Sequence, residues 1–509
     1  MSGVNAATLK AWIAAGSELA ILDAREEGEF GHGHLFWAVP CPLSRKELRA
    51  RTLLPRQATR VVCVDGGEGH AERLAAYLGG AGYSDVHVLA GGTPAWAAAG
   101  YVVFTGVHVP SKAFGEWAEH HYGTESLDPA ELQAMKDSGQ DMVILDSRPM
   151  DEFVKMTIPS AVNVPGGELA YRIGDLVPDP GTTIVVNCAG RTRSIMGAES
   201  LRRAGVPNRV LALRNGTMGW ELAGFQCERG VTRSYPRGTP ASAELALRRA
   251  SVFAAANGVQ LISRATAVAM LAEADRSTYA LDVRAADEYA AGHVPGFRHA
   301  PGGQLVQATD QWIAVRGARV LLADDDTVRA QMSGAWLRQM GGWEVYVVRG
   351  AFDGPVETGN PVVLDVPRMP TVTPLALAAE TGVTVLNLAL SMHHRAGHVP
   401  SSRWVVRGRI PPLAGPVVVM APDQSLAHLA AAEIPGARVL EGGLAAWRAA
   451  GLPVATDRTT PADEDCVDWY LRPYDRNSGI EAAMNAYLSW EIDLVHEVAR
   501  DGDGHFGAW

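Results

Sequence analysis

Val143-Ile144-Leu145-Asp146-Ser147-Arg148, with Glu152-Phe153 a few residues on, is an apolar run that ends in an acid and turns into a cation. A run this short and this apolar is what a strand buried on both faces of a parallel sheet requires. The same order of residue types occurs at Ile21-Leu22-Asp23-Ala24-Arg25 with Glu29-Phe30, and at Ala280-Leu281-Asp282-Val283-Arg284 with Glu288-Tyr289. A degraded copy stands at Val385-Leu386-Asn387. The copies lie roughly a hundred residues apart, which is the spacing of domains and not of solenoid repeats.

Working outward, the copies are followed by small-residue turns, Ile158-Pro159-Ser160, Gly292 to Pro295 and Gly397 to Pro400. A second apolar run comes next (Val61-Val62-Cys63-Val64, Ile184-Val185-Val186, Val320-Leu321-Leu322, Val417-Val418-Val419), then a helix rich in Ala and Leu. A Gly-rich turn onto a last helix closes each unit: Gly92 with Trp96, Gly216 with Trp220, Gly350 without its Trp, and Gly443 with Trp447. Strands alternating with helices predict an α/β fold, each domain a central parallel sheet flanked by helices, with ligands met at the carboxyl ends of strands. The expected division is 1–105, 125–230, 242–360, a trimmed 372–456, and a C-terminal helical tail over 457–509. Linkers are expected near 106–127, 229–241 and 360–374, and within the tail Ile480 to Val498 reads as helical, its aromatics packing on a neighbouring domain.

Composition narrows the function. Hydrophobic residues at 47% and charged residues at 20% are globular values. No stretch approaches the ~18 consecutive apolar residues of a membrane span, and the first twenty residues lack the pattern of an export signal, so a cytoplasmic protein without a membrane partner is expected. A net charge of −11 argues against nucleic acid as a partner, since phosphate binding rests on basic surface. The five cysteines, Cys41, Cys63, Cys188, Cys227 and Cys466, are too irregular for a disulfide framework or a metal site, and neither metal nor organic cofactor is indicated.

One cysteine stands apart. In the second repeat the buried strand runs directly into Cys188-Ala189-Gly190-Arg191-Thr192-Arg193-Ser194, with a helix expected from about Ser194. A thiol there meets the N–H groups of a tight turn and the positive end of a helix, both of which favour the thiolate nucleophile. Gly190 is expected to let the backbone fold back on the sulfur, and Arg191 and Arg193 to set two permanent charges beside it. The reading is attack by Cys188 on a small anionic sulfur donor, leaving a persulfide held by residues 189–194 until a thiol or cyanide acceptor removes it. It requires the Cys188 side chain to be open to solvent and turned toward the loop amides.

The acidic-Arg-Glu-aromatic pattern, the strand-Cys-loop-helix and the closing Gly-x-x-x-Trp together resemble the rhodanese superfamily over roughly residues 1–456. The resemblance implies four rhodanese-like domains, of which only the second keeps the nucleophile, and transfer of sulfane sulfur through a catalytic Cys in a six-residue loop. The loop departs from the Cys-Arg-Lys-Gly-Val-Thr and Cys-Gly-Ser-Gly-Val-Thr loops of two subfamilies. Its two arginines favour thiosulfate, or glutathione persulfide, over monoanionic mercaptopyruvate.

Aligned on helix and closing turn, Asp65, Asp325 and Ala421 occupy the place of Cys188 in the other repeats. Cys63 reads as a buried core residue, and Cys41, Cys227 and Cys466 as structural or incidental. The recurring Asp-x-Arg pair reads as structural because it recurs where there is no thiol. His120 and His121 could, with Lys112, face the mouth of the second domain, but linker histidines read as solvated. The silent repeats would supply interface area, narrowing the active cleft or building a homodimer. Two rivals remain: a scaffold or redox sensor built of such domains, and a phosphatase or arsenate reductase on the same fold. The latter enzymes place Arg six positions after Cys, where this chain has Ser194.

Overall fold

The computed structural model describes residues 2–235, 238–359 and 364–507. Residues 236 and 237 of the second expected linker, 360–363 at the start of the third, and 508 and 509 of the tail lie outside them.

Four sheets form along the chain with one strand order. In the second, Ser126–Leu127, Val210–Leu213, Thr183–Asn187, Met142–Asp146 and Val162–Asn163 lie side by side, all parallel. The first, third and fourth repeat this order around the central strands Arg60–Val64, Arg319–Ala323 and Val417–Met420. The apolar runs read from the sequence are these strands, and Thr183–Asn187 is buried along its whole length. In the first sheet one further strand, Val315–Arg316 of the third repeat, pairs antiparallel with Leu19–Asp23. Repeats one and three accordingly share one continuous apolar core, which also takes in Leu494 and Val498 of the tail.

Repeats two and three meet through like turns. A Cβ on Gly167 would fall 2.8 Å from the Gly303 nitrogen, and one on Gly303 would fall 2.7 Å from the Gly167 nitrogen. Only hydrogen side chains permit that backbone approach.

The expected linker 106–127 holds a helix of its own. Val109–Tyr122 is a helix, and its inner face, including Lys112 and Glu116, is buried against the helix that follows Cys188. His120 and His121 on its outer face are exposed. The tail helix runs Ile480–Asp501, three residues beyond the expected end, and packs on Val109–Tyr122. Among the described residues, no helix is long and apolar enough to cross a membrane.

Candidate active site

Cys188 follows Asn187 at the carboxyl end of the central strand, and the helix Thr192–Arg203 begins four residues later, two earlier than expected. The loop is fixed from several sides. The Cys188 carbonyl accepts from the Thr217 amide at 2.8 Å and the Ala189 carbonyl from the Met218 amide at 3.0 Å. Gly216 has φ +54°, and a Cβ there would strike the Cys188 carbonyl oxygen at 2.2 Å, so the closing turn needs glycine to reach the loop.

Beneath the loop, Asp146 and Arg148 form a buried two-point ion pair, with bonds of 2.9 and 2.7 Å. Arg148 continues to the Met156 carbonyl at 2.6 Å, while Asp146 also accepts from Thr157 and from Asn187, the residue before the nucleophile. The pair recurs at Asp23/Arg25 and Asp282/Arg284, each reaching a carbonyl eight residues on. A latch present without a thiol is structural; in the second repeat it also sets the strand end from which Cys188 departs.

The sulfur is not open to solvent as expected: Cys188 is 2% exposed. Among the described residues, the hydrogen bond to Sγ is donated by Ser194 Oγ at 3.1 Å, not by the loop amides. The tail packs on the two residues that follow Cys188. Met484 and Leu488 pack with Met218 over Ala189, flanked by Tyr474 and Tyr487. Gly190 has a different use from the one expected, since a Cβ there would meet Glu491 Oε2 at 3.1 Å and Tyr487 at 3.4 Å. It makes room for the tail helix.

Both arginines expected to cradle an anion are engaged by carboxylates. Arg191 grips Glu116 with bonds of 2.8 and 2.7 Å and also touches Glu119 and Asn215. Arg193 grips Glu152 with two bonds of 2.8 Å. Burial alone would raise Glu152, but the Arg193 and Arg148 guanidinium groups hold it down at about 2. Burial wins at Glu116, which is pushed up to about 7 against the pull of Arg191. Ser147 Oγ ties the two sides of the loop, donating to the Asn187 carbonyl at 2.9 Å and the Arg193 carbonyl at 3.1 Å.

The other thiols lie in apolar surroundings. Burial pushes Cys41 and Cys227 up to about 12, and Cys63 and Cys466 upward as well. Strand pairing also corrects one alignment. Asp146 pairs with Asn187 and Asp282 with Ala323, so the residue in the place of Cys188 is Asp324, not Asp325. The same registers give Asp65 and Ala421. Among the described residues, no group of three or more His, Cys, Asp or Glu is arranged to hold a metal ion. Glu116 and Glu491 carried no sequence signal at the site, because only the fold brings their helices to the loop; Lys112, read from the sequence as a group that could face the second domain's mouth, is there beside Glu491.

The sequence model of the rhodanese-like domain matches residues 5–99, 128–223 and 263–357. A crystal structure of a thiosulfate sulfurtransferase from Pseudomonas aeruginosa is 42% identical, covering 99% of this chain and 99% of its own, with a TM-score of 0.92. The Alr3790 protein from Anabaena is 26% identical over 21% of this chain and 84% of its own, with a TM-score of 0.20. Among curated proteins, the HTH-type transcriptional regulator Rv0324 of Mycobacterium tuberculosis is 33% identical over 108 residues, 21% of this chain. The present chain spans 46% of that regulator's length.

Proposed function

Since this chain belongs to the family of rhodanese-like domains, we propose that it is a sulfurtransferase in which Cys188 carries sulfur from thiosulfate to a thiophilic acceptor. The observation that carries the reading is the seat of Cys188 between a fully buried strand and the first turn of the helix Thr192–Arg203, with Ser194 donating to its sulfur. Likeness to a thiosulfate sulfurtransferase along nearly the whole chain supports the donor class.

In the first half-reaction the Cys188 thiolate attacks the outer sulfur of thiosulfate. A new S–S bond forms as the old one breaks, and sulfite leaves with the electron pair. The persulfide's terminal sulfur carries a negative charge, which the Ser194 hydroxyl and the positive end of the helix favour. In the second half-reaction cyanide or a thiolate attacks that sulfur, forming thiocyanate or a new persulfide, and Cys188 departs as the thiolate. The remaining thiols, raised by burial, are poor nucleophiles at neutral pH. Reduced, unpaired cysteines suit a cytoplasmic setting.

Residues 189–194 act on this reading as the persulfide's cradle, while Arg191 and Arg193 shape it through their carboxylate partners and are not open anion ligands. Because Cys188 is buried and the tail packs on its loop, the tail must yield for the donor to enter. The test is thiocyanate formation from thiosulfate and cyanide: Cys188→Ser should abolish it, by at least about a thousandfold, with melting temperature unchanged. Retained turnover in that variant would transfer the role to another thiol and end this assignment.

A further inference from the structure

The tail does more than pack on the loop: it sets a carboxylate where an anion would bind. Glu491 is 2% exposed, and its Oε1 accepts from Lys112 Nζ at 2.9 Å and from Thr192 Oγ1 at 3.1 Å. Thr192 is the first residue of a twelve-residue helix, so the carboxylate lies at that helix's positive end. Glu491 Oε2, fully buried, has no hydrogen-bond partner and faces Gly190, two residues from the nucleophile. Lys112, itself 4% exposed, also donates to the Tyr487 hydroxyl, which in turn donates to Glu491 Oε1 at 3.2 Å. A buried carboxylate with one oxygen unsatisfied is held at a cost, and an incoming anion able to bond more fully would displace it.

We propose that Lys112, Thr192 and the first turn of the helix Thr192–Arg203 form a subsite for the sulfonate end of the sulfur donor, and that Glu491 occupies it as an internal substitute until the donor arrives. This rests on Cys188 being the sulfur carrier. The tail is built for such an exchange. Its C-terminal half is anchored, with Leu494 and Val498 in the main core and Lys10 paired to Asp501 and Asp503. Its N-terminal half rests on the loop through the small cluster of Met484 and Leu488. Displacing Glu491 would swing that half away and uncover Cys188, so one event both fills the anion site and opens the thiol.

The test is kinetic and structural, on the full chain. Glu491→Gln removes the competing charge and should lower KM for thiosulfate about tenfold; Lys112→Gln should raise it about tenfold. The double variant should fall between the two, because Thr192 and the first turn of the helix remain to hold the anion and no carboxylate competes for them. In Cys188→Ser, thiosulfate as a non-reacting probe should speed amide hydrogen exchange across residues 480–491 at least tenfold and leave 494–501 unchanged. An unchanged or raised KM in Glu491→Gln, or unaltered exchange under saturating thiosulfate, overturns the subsite while persulfide formation on Cys188 still stands. Faster exchange with no persulfide ever forming on the unaltered protein would uphold the subsite and sink the sulfur-carrier reading.

Discussion

The loop at Cys188 and the loop at Asp324 leave equivalent strands of two like sheets and enter the same kind of helix, yet one holds a thiol and the other a knot of charge. Counting from the strand end, Arg193 and Arg329 correspond, and so do their partners Glu152 and Glu288, paired at 2.8 and 2.6 Å. In the silent loop Arg329 is fully buried and also reaches Glu168 of the second repeat at 2.9 Å and Asp325 at 3.2 Å. An Arg–Glu pair present with and without the thiol belongs to the framework. Of the seven aligned positions only this arginine is shared; among the differences are the residue in the nucleophile's place and the one six positions on, Ser194 in one loop and Ala330 in the other. Where the second repeat has a thiol and a hydroxyl donor, the third has an internal ion cluster that fastens two repeats together.

The sharpest way to break that comparison is to move the thiol. In a Cys188→Ser background, Asp324→Cys should give less than about 1% of the parent's thiocyanate production, because the new thiol would lack a hydroxyl donor and sit beside Arg329 pinned by carboxylates. Recovery above about 10% would mean that the cradle alone suffices. A smaller effect is expected of Ser194→Ala, which should lower kcat/KM about ten- to a hundredfold, the worth of one hydrogen bond to a charged atom. Melting should be nearly unchanged, and a kcat/KM within twofold of the parent would remove Ser194 from the mechanism.

The smallest effect concerns the silent loop and pH. Burial raises Asp324 to about 7 against the pull of Arg329. A carboxyl raised on folding binds its proton more tightly in the native state, so its ionisation costs stability as pH climbs from about 4 to about 7, with no further change above. Asp324→Asn should therefore raise the melting temperature by a few degrees at pH 8, with the gain shrinking as pH falls toward 4. A gain independent of pH would show that packing, not charge, limits that site.

Much of this was written locally in the chain. The four strand patterns, the Asp146/Arg148 latch and the isolation of Cys188 are legible because each lies within a short stretch whose residue types dictate strand, turn or cradle. Asp324 and Asp325 could not be told apart in a run of three aspartates until strand pairing fixed the register. The carboxylates about Arg191 and Thr192 were beyond reach for another reason: Glu116 and Glu119, partners of Arg191, lie on a helix within an expected linker, and Glu491, which accepts from Thr192, arrives from three hundred residues away. The close neighbours of Gly190 were out of reach on the same ground, since the atoms a Cβ there would crowd belong to the tail. The place of the loop at a strand end was legible, and the tail that packs on it, brought there by remote contacts, was not.

The most direct measurement is peptide mass spectrometry of the full chain after incubation with thiosulfate and rapid trapping of thiols. The account predicts the added mass of one sulfur atom on the peptide bearing Cys188, absent from those bearing Cys41, Cys63, Cys227 and Cys466, and lost on adding cyanide. Added sulfur on any of those four in place of Cys188, or none on Cys188 at saturating donor, would contradict it.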